Sequence, residues 1–203
     1  MHWDRLFEDL EGQLASEWEA ERAALDAESE RLRIARLELR ARLRMLCALG
    51  AEAVIDLANG RRLPVTLRAL GADWIAVTSR VADGTQAGPS TLLVPEHAIA
   101  GITLDHGMIL ASLEEPAPSE HALRERMTLG FVLRDLARRR VAVQVSTLTG
   151  EDAHGTIDRA AADHLDLAVH DRGDARRASA VHGFRVIPFS RLVAVRTPGT
   201  QMP

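Results

Sequence analysis

The fold of this chain is decided by residues 51–60, AEAVIDLANG, and by their counterpart ninety positions later, residues 141–150, VAVQVSTLTG. In both stretches apolar residues alternate with less apolar ones, which places every second side chain on one face of a strand. Asn59-Gly60 and Thr149-Gly150 then supply hairpin turns, and Asn-Gly is the stronger signal because both residues tolerate positive φ. Each stretch is therefore predicted to open a β-rich segment.

The similarity between the two halves continues outward from these strands. Both copies read as a helix followed by about five short strands separated by turn signals, with variable loops at 81–90 and 171–181. Three extra residues in the second copy shift the later matches from an offset of 90 to one of 93. The matched pairs include Leu43 with Leu133, Leu46 with Leu136, Asp73 with Asp163, Val94-Pro95 with Ile187-Pro188, Ile99 with Leu192, and Ile102 with Val195.

This arrangement resembles the Sm-like barrel, and residues 54–104 and 141–196 carry the resemblance. The shared features are a helix before five antiparallel strands, a turn glycine after the first strand and an Ile-Pro-x-x-x-Ile-type ending. The chain also resembles a family of two-barrel proteins from GC-rich bacteria. The resemblance implies an α+β fold, in which a long N-terminal helix is followed by two Sm-like five-stranded antiparallel β-barrels, each preceded by a helix. We expect a helical segment at 1–49, barrel 1 at 50–115, and a helix plus barrel 2 at 116–203.

The residues through which Sm proteins bind RNA are not reproduced here. Those proteins place an Asp and an Asn around the third strand and an Arg-Gly near the fourth. This chain has Leu70-Gly71 and Ala160-Ala161 at the strand positions, and no Arg-Gly precedes Val94-Pro95. Arg185 stands near Ile187-Pro188 without a glycine after it. The resemblance in fold therefore does not carry uridine binding across to this chain.

The segment from residue 4 to about 48 lacks proline and is rich in strong helix formers, which predicts one long helix or two in line. A stripe of apolar residues recurs every seven positions, and its companion positions are Glu21, Glu28, Ala35 and Arg42. The stripe favours packing on the protein's own barrels over an isolated dimeric coiled coil. For Trp74 the sequence leaves two alternatives, a core residue or an exposed anchor at an interface. The stripe residues are Trp18, Leu25, Leu32, Leu39 and Leu46.

Composition narrows the class of protein. All 25 basic residues are arginine, which is typical of a GC-rich bacterial genome. The single cysteine, Cys47, excludes an internal disulfide and favours a reducing compartment. No secretion signal opens the chain and no apolar run is long enough to span a membrane, so we expect a cytoplasmic protein without membrane contact. The net charge of −4 argues against binding to duplex DNA.

The sequence shows no catalytic or metal-binding motif. His154, His164, Asp166, His170 and His182 are dispersed over turns and strands without a paired-ligand spacing on a predicted helix. No G-x-S-x-G, H-E-x-x-H or G-x-x-x-x-G-K-[ST] occurs. We therefore expect no enzyme activity, no cofactor, no metal and no small-molecule substrate.

The second half of the chain carries an arginine-rich group. Arg138, Arg139 and Arg140 end a predicted helix, where cations complement the helix dipole. Together with Arg172, Arg176 and Arg177 they form, alternatively, a face for phosphates. The preferred interpretation of the chain is a non-enzymatic interaction module that binds a protein partner or self-associates. The alternative is an RNA-associated protein that uses this arginine group.

Overall fold

The computed structural model describes residues 2–79, 90–114, 123–173, 177 and 179–199. Within the first helix it describes the side chains of Glu8 and of residues from 11 onward. The chain divides into two compact units, Met1–Arg42 and Leu43–Pro203. The predicted loop at 81–90 falls almost entirely outside the described residues.

Four α-helices lie in the described parts of the chain: α1 (His2–Ala35), α2 (Leu39–Ala48), α3 (His106–Ala111) and α4 (Leu129–Arg138). Two side chains cap helices at their N-termini, since Asp105 accepts a hydrogen bond from the Met108 backbone N–H at 2.9 Å and Thr128 accepts one from Phe131. The N-terminal segment forms two helices, which is one of the two predicted alternatives. A helix also precedes each set of five strands, as predicted.

Ten strands lie in the described parts of the chain, and the predicted turns at Asn59-Gly60 and Thr149-Gly150 follow the first and the sixth of them. Gly60 and Gly150 have φ of +80° and +82°, the left-handed conformation that a tight turn requires. The strands are β1 (Glu52–Leu57), β2 (Arg62–Leu70), β3 (Trp74–Ser79), β4 (Ser90–Pro95), β5 (Ile99–Thr103), β6 (Ala142–Thr147), β7 (Asp152–Ala160), β8 (His164–Val169), β9 (Gly183–Pro188) and β10 (Leu192–Pro198).

The prediction of two small Sm-like barrels is wrong. All ten strands form one open antiparallel sheet in the order β5-β1-β2-β3-β4-β10-β6-β7-β8-β9. Closing the first five strands into a barrel would require β4 to pair with β5, but β4 pairs with β10 from the other half instead. All six residues of β4 are buried, with β3 on one side and β10 on the other. Period-two patterns locate strands but do not say which strand lies beside which.

Two hydrophobic clusters lie within the second unit. Leu43 and Leu46 of α2 pack with β1 to β4 in the first cluster, and Leu133 and Leu136 of α4 pack with the second half of the sheet in the other. Ile75 and Leu165 are fully buried. Arg62 and Arg177 are exposed, whereas Arg61 is half-buried.

Candidate functional site

The two ends of the sheet are strands with a neighbour on one side only among the described residues. β5 pairs with β1, and β9 pairs with β8. An edge strand presents a row of backbone N–H and C=O groups that can pair with another chain. The edges are therefore the first candidate interaction surfaces.

The junction between the two halves shows how such an edge is satisfied inside the chain. β4 and β10 pair antiparallel, with Leu93 opposite Val195 and Thr91 opposite Thr197. Leu93 and Val195 are both fully buried, and both belong to the second hydrophobic cluster. The pairing of these two strands thus encloses apolar side chains as well as backbone groups.

The free edges are the counterparts of the strands that meet at this junction. At the offset of 93 residues, β9 corresponds to β4 and β5 corresponds to β10. Leu93 therefore corresponds to Val186, and Val195 corresponds to Ile102. Val186 is 64% exposed and Ile102 is partly exposed, whereas their counterparts are buried. One free edge of the sheet is therefore the equivalent of β4, and the other is the equivalent of β10.

Both edges carry features suited to contact. Phe184 and Val186 on β9 are 65% and 64% exposed and lie two positions apart, so they share one face of the strand. Beside β5, an open groove of about 520 Å³ runs along β1, β2 and the end of β5. Its lining includes Val54, Pro64, Thr66, Thr103, Leu104 and Asp105. The exposed apolar pair therefore lies at one end of the sheet, and the groove lies near the other.

No known protein family, curated protein or solved structure matches the chain. Nothing in these comparisons identifies it as a member of the Sm-like family.

The arginine group predicted as a phosphate face is largely engaged with acidic and amide side chains. Asp135 binds both Arg138 and Arg139, the latter at 2.7 Å between Nε and Oδ2. Arg140 Nη1 lies 3.3 Å from Asp158 Oδ1, and Arg172 donates to Gln144 Oε1 at 2.7 Å. Arg177 is exposed, and Arg176 lies outside the described residues. Because two carboxylates pair with the three helix-end arginines, they offset part of the positive potential of this group.

The residues predicted for an interface have two different environments. Trp18, Leu25, Leu32 and Leu39 are 68%, 63%, 50% and 54% exposed, while Leu46 is buried. Trp74 is 2% exposed, and its Nε1–H donates to the Met127 carbonyl oxygen at 2.9 Å. Trp74 is therefore a core residue, and the exposed anchor is not what the structure shows.

A polar network between the two hairpins after β1 and β6 was missed by the sequence analysis. Arg61 Nη1 lies 3.1 Å from Asp152 Oδ2, and Gln144 donates to the same carboxylate at 2.8 Å. Asn59 Nδ2 donates to the Thr147 carbonyl oxygen at 3.4 Å. A pattern signal existed, because residues of the two equivalent turns carry opposite charges, but only the strand order brings them together.

Two histidines of the second half, the buried His170 and the partly buried His154, lie against each other. His170 is 2% exposed, its Nδ1 donates to the Asp171 carbonyl oxygen at 2.9 Å and its Nε2 lies 2.9 Å from Thr156 Oγ1. The ring of His154 meets that of His170 edge-on at 5.4 Å, and its buried Nδ1 has no hydrogen-bond partner. Burial, followed by the charges of His170 and Arg172, lowers the pKa of His154.

Among the described residues, no group of three or more His, Cys, Asp or Glu side chains is arranged to hold a metal ion. In the same part of the chain no helix has the length and apolar character needed to cross a membrane.

Proposed function

We propose that this protein is a non-enzymatic interaction module that assembles with further copies of itself, β9 of one copy pairing with β5 of the next. The observation that supports this is the difference between equivalent residues. Leu93 and Val195 are buried by pairing inside the chain, while their counterparts Val186 and Ile102 are left at the two free edges. Repeating the internal junction between successive copies satisfies β9 of one copy and β5 of the next.

The internal junction also gives the register. Shifted by 93 residues, the pair Leu93 with Val195 becomes Val186 with Ile102, and Thr91 with Thr197 becomes Phe184 with Leu104. Phe184 then lies against the residue that lines the groove beside β5. Aromatic side chains that fill a pocket commonly supply much of the energy of an interface.

The junction between copies is weaker than the internal one. Trp74 and Ala76 of the first half help to cover the second hydrophobic cluster, and their counterparts at an offset of 90 are His164 and Asp166. His164 binds Asp163, and Asp166 lies 3.8 Å from Arg159, so this face remains polar. Less apolar area is buried, and the assembly depends on protein concentration.

Because β9 of one copy pairs with β5 of the next, the contact joins two different edges and is head-to-tail. A heterologous contact of this kind builds a ring when its rotation closes and a filament when it does not. Species larger than a dimer are therefore the signature of the edge contact.

Sedimentation velocity over a range of concentrations tests the proposal with Val186→Lys, since charged residues on an edge strand oppose pairing. Phe131→Lys is the control, because Phe131 is also a half-exposed apolar residue but belongs to α4. We expect species above the dimer for the wild type and for Phe131→Lys, and their loss in Val186→Lys. An assembly unchanged by Val186→Lys, or a wild type with no species above the dimer, contradicts the proposal.

A second experiment asks whether the protein binds partners other than itself. The tagged protein is purified from its host with and without nuclease, and the co-purifying molecules are identified. The proposal expects mainly the chain itself, whereas a dominant different protein or nuclease-sensitive RNA would replace self-association.

We place the assembly in the cytoplasm, where the lone Cys47 stays reduced. Burial and the nearby charge of Glu125 raise the pKa of its thiol to about 12.

A further inference from the structure

We infer that the turn between β7 and β8, residues 161–163, binds the start of α2 from the next copy. The inference rests on the proposed assembly, because it adds a second contact to the same junction between copies. The contact joins a backbone N–H group at the start of a helix to a carboxylate. The occupant follows from the equivalent turn of the first half, which is filled within the chain.

The turn between β2 and β3 shows this contact inside one chain. Ala72 donates its backbone N–H to the Met127 carbonyl oxygen at 2.7 Å, and the Trp74 indole donates to the same oxygen at 2.9 Å. Asp73 Oδ1 accepts a hydrogen bond from the Leu129 backbone N–H at 2.6 Å. Leu129 is the first residue of α4 and is 3% exposed. A carboxylate of the first half therefore satisfies an N–H group at the start of the helix that precedes the second set of strands.

The corresponding turn of the second half carries the same acceptor in an exposed position. At the offset of 90 residues Asp73 corresponds to Asp163, whose side chain is 88% exposed. Asp163 Oδ1 lies 2.7 Å from His164 Nδ1, and this hydrogen bond lowers the pKa of Asp163. The carboxylate is therefore charged at neutral pH and accessible to a second chain.

The start of α2 is the corresponding donor. At the same offset Leu129 corresponds to Leu39, the first residue of α2, which is 54% exposed. Glu38 precedes α2 where Thr128 precedes α4, and glutamate is not among the preferred capping residues. The first turn of α2 contains no acidic residue. A carboxylate from another copy therefore gains from the positive end of the helix dipole as well as from the hydrogen bond.

The proposed edge contact brings these two elements together. Within the chain, β4 pairs with β10, and the turn after β2 binds the start of the helix that precedes β6 to β10. Moving both contacts on by one half pairs β9 with β5 of the next copy and places residues 161–163 beside residues 37–39 of that copy. One relation between copies thus covers the exposed Leu39 and provides a donor for the exposed Asp163.

Leu39→Asp tests the contact while keeping the helix. An aspartate in the first turn favours α2 in the single chain, but it places a second carboxylate beside Asp163 of the neighbouring copy. We expect the dissociation constant of the species above the dimer to rise about tenfold in Leu39→Asp and in Asp163→Ala. Leu14→Asp is the matched control, because Leu14 is 56% exposed and lies on α1. Sedimentation velocity measures all three, and circular dichroism checks that helicity is unchanged.

Adding Asp163→Lys to Leu39→Asp gives a second readout. The double variant again has opposite charges at the contact, so we expect it to recover the assembly that Leu39→Asp weakens. A double variant that assembles no better than Leu39→Asp overturns the inference.

Val186→Lys, measured in parallel, separates this contact from the edge pairing. Assembly that is lost in Val186→Lys but unchanged in Leu39→Asp and Asp163→Ala overturns the inference and leaves the proposed function standing. A wild type with no species above the dimer overturns both.

Discussion

Leu93 of β4 lies opposite Val195 of β10, and this buried pair joins the two halves of the sheet. Both side chains are fully enclosed in the second hydrophobic cluster. The chain thereby forms one ten-stranded sheet, and its two remaining edge strands are equivalents of the two strands that meet here. The first prediction tests how much this junction contributes to stability.

Leu93→Ala lowers the free energy of unfolding by about 2–5 kcal/mol, because it removes a fully buried leucine and leaves a cavity. The control is Val186→Ala at the equivalent position of the second half. Val186 is exposed in the single chain, so we expect a change within about 0.5 kcal/mol. Urea denaturation at low protein concentration measures both. Equal effects at the two positions would show that the halves do not differ in the way described.

Trp74→Ala costs about 3–5 kcal/mol, because it empties a core site and removes the hydrogen bond to the Met127 carbonyl oxygen. His164→Ala, at the equivalent position, removes a partly exposed side chain and costs much less. Thermal unfolding of the two variants gives the comparison. A small effect at Trp74 would contradict its place in the core.

Gly71→Ala tests the packing around Trp74 by adding a methyl group next to its indole ring. A Cβ at residue 71 would lie 2.1 Å from Trp74 Nε1, so the indole must move. We expect a loss of about 1–3 kcal/mol from overpacking. In a double-mutant cycle the loss shrinks when Trp74 is already alanine, because the clash is gone. Independent, additive effects would mean that the two residues do not touch.

Acidification destabilises the protein through His154. Burial lowers the pKa of His154 in the folded chain, while the unfolded chain retains a pKa of about 6.5. As the pH falls below about 6.5 the unfolded state takes up the proton first, so the free energy of unfolding decreases until the pH reaches the folded pKa. The groups that face His154 are His170, Arg172 and Asp171. His154→Gln flattens this dependence, and the exposed His182→Gln leaves it intact; the reverse result would assign the pH dependence elsewhere.

We expect no salt-sensitive RNA binding from the arginine group. Asp135 pairs with both Arg138 and Arg139, and Asp158 pairs with Arg140, so two carboxylates offset part of the charge of these three arginines and weaken their attraction for phosphates. Fluorescence anisotropy with single-stranded RNA at low salt, where screening is weakest, is the measurement. Micromolar, salt-sensitive binding that the double variant Arg176→Ala/Arg177→Ala abolishes would make the RNA-associated alternative the leading one.

The sequence predicted the strands better than their assembly. Alternating apolar residues and turn glycines such as Gly60 and Gly150 are local signals, and the structure confirms the strands they delimit. The neighbour of β4 is a long-range property that no local pattern carries. Trp74 illustrates the same limit, because its burial depends on Met127, 53 residues away, and on close approach to Gly71.

The interaction surfaces were predicted only in part. The stripe from Trp18 to Leu39 was identified by its seven-residue spacing and expected to pack on the protein's own barrels, whereas the structure shows these side chains exposed. The edge residues Phe184 and Val186 were not singled out as a contact surface, although Val186 lies in the strand expected around Ile187-Pro188. Their exposure follows from β9 being last in the sheet, and that position is decided by the pairing of β4 with β10.

Disulfide crosslinking tests directly whether β9 of one copy pairs with β5 of the next. Ile102→Cys and Val186→Cys are prepared as separate single variants and oxidised alone and together. Directly opposed residues of an antiparallel pair have Cα atoms about 4.5–5.5 Å apart, a distance that a disulfide spans. We expect a linked dimer only in the mixture. A crosslink in Val186→Cys alone, which would show two β9 strands pairing with each other, or no crosslink in the mixture, would contradict this pairing.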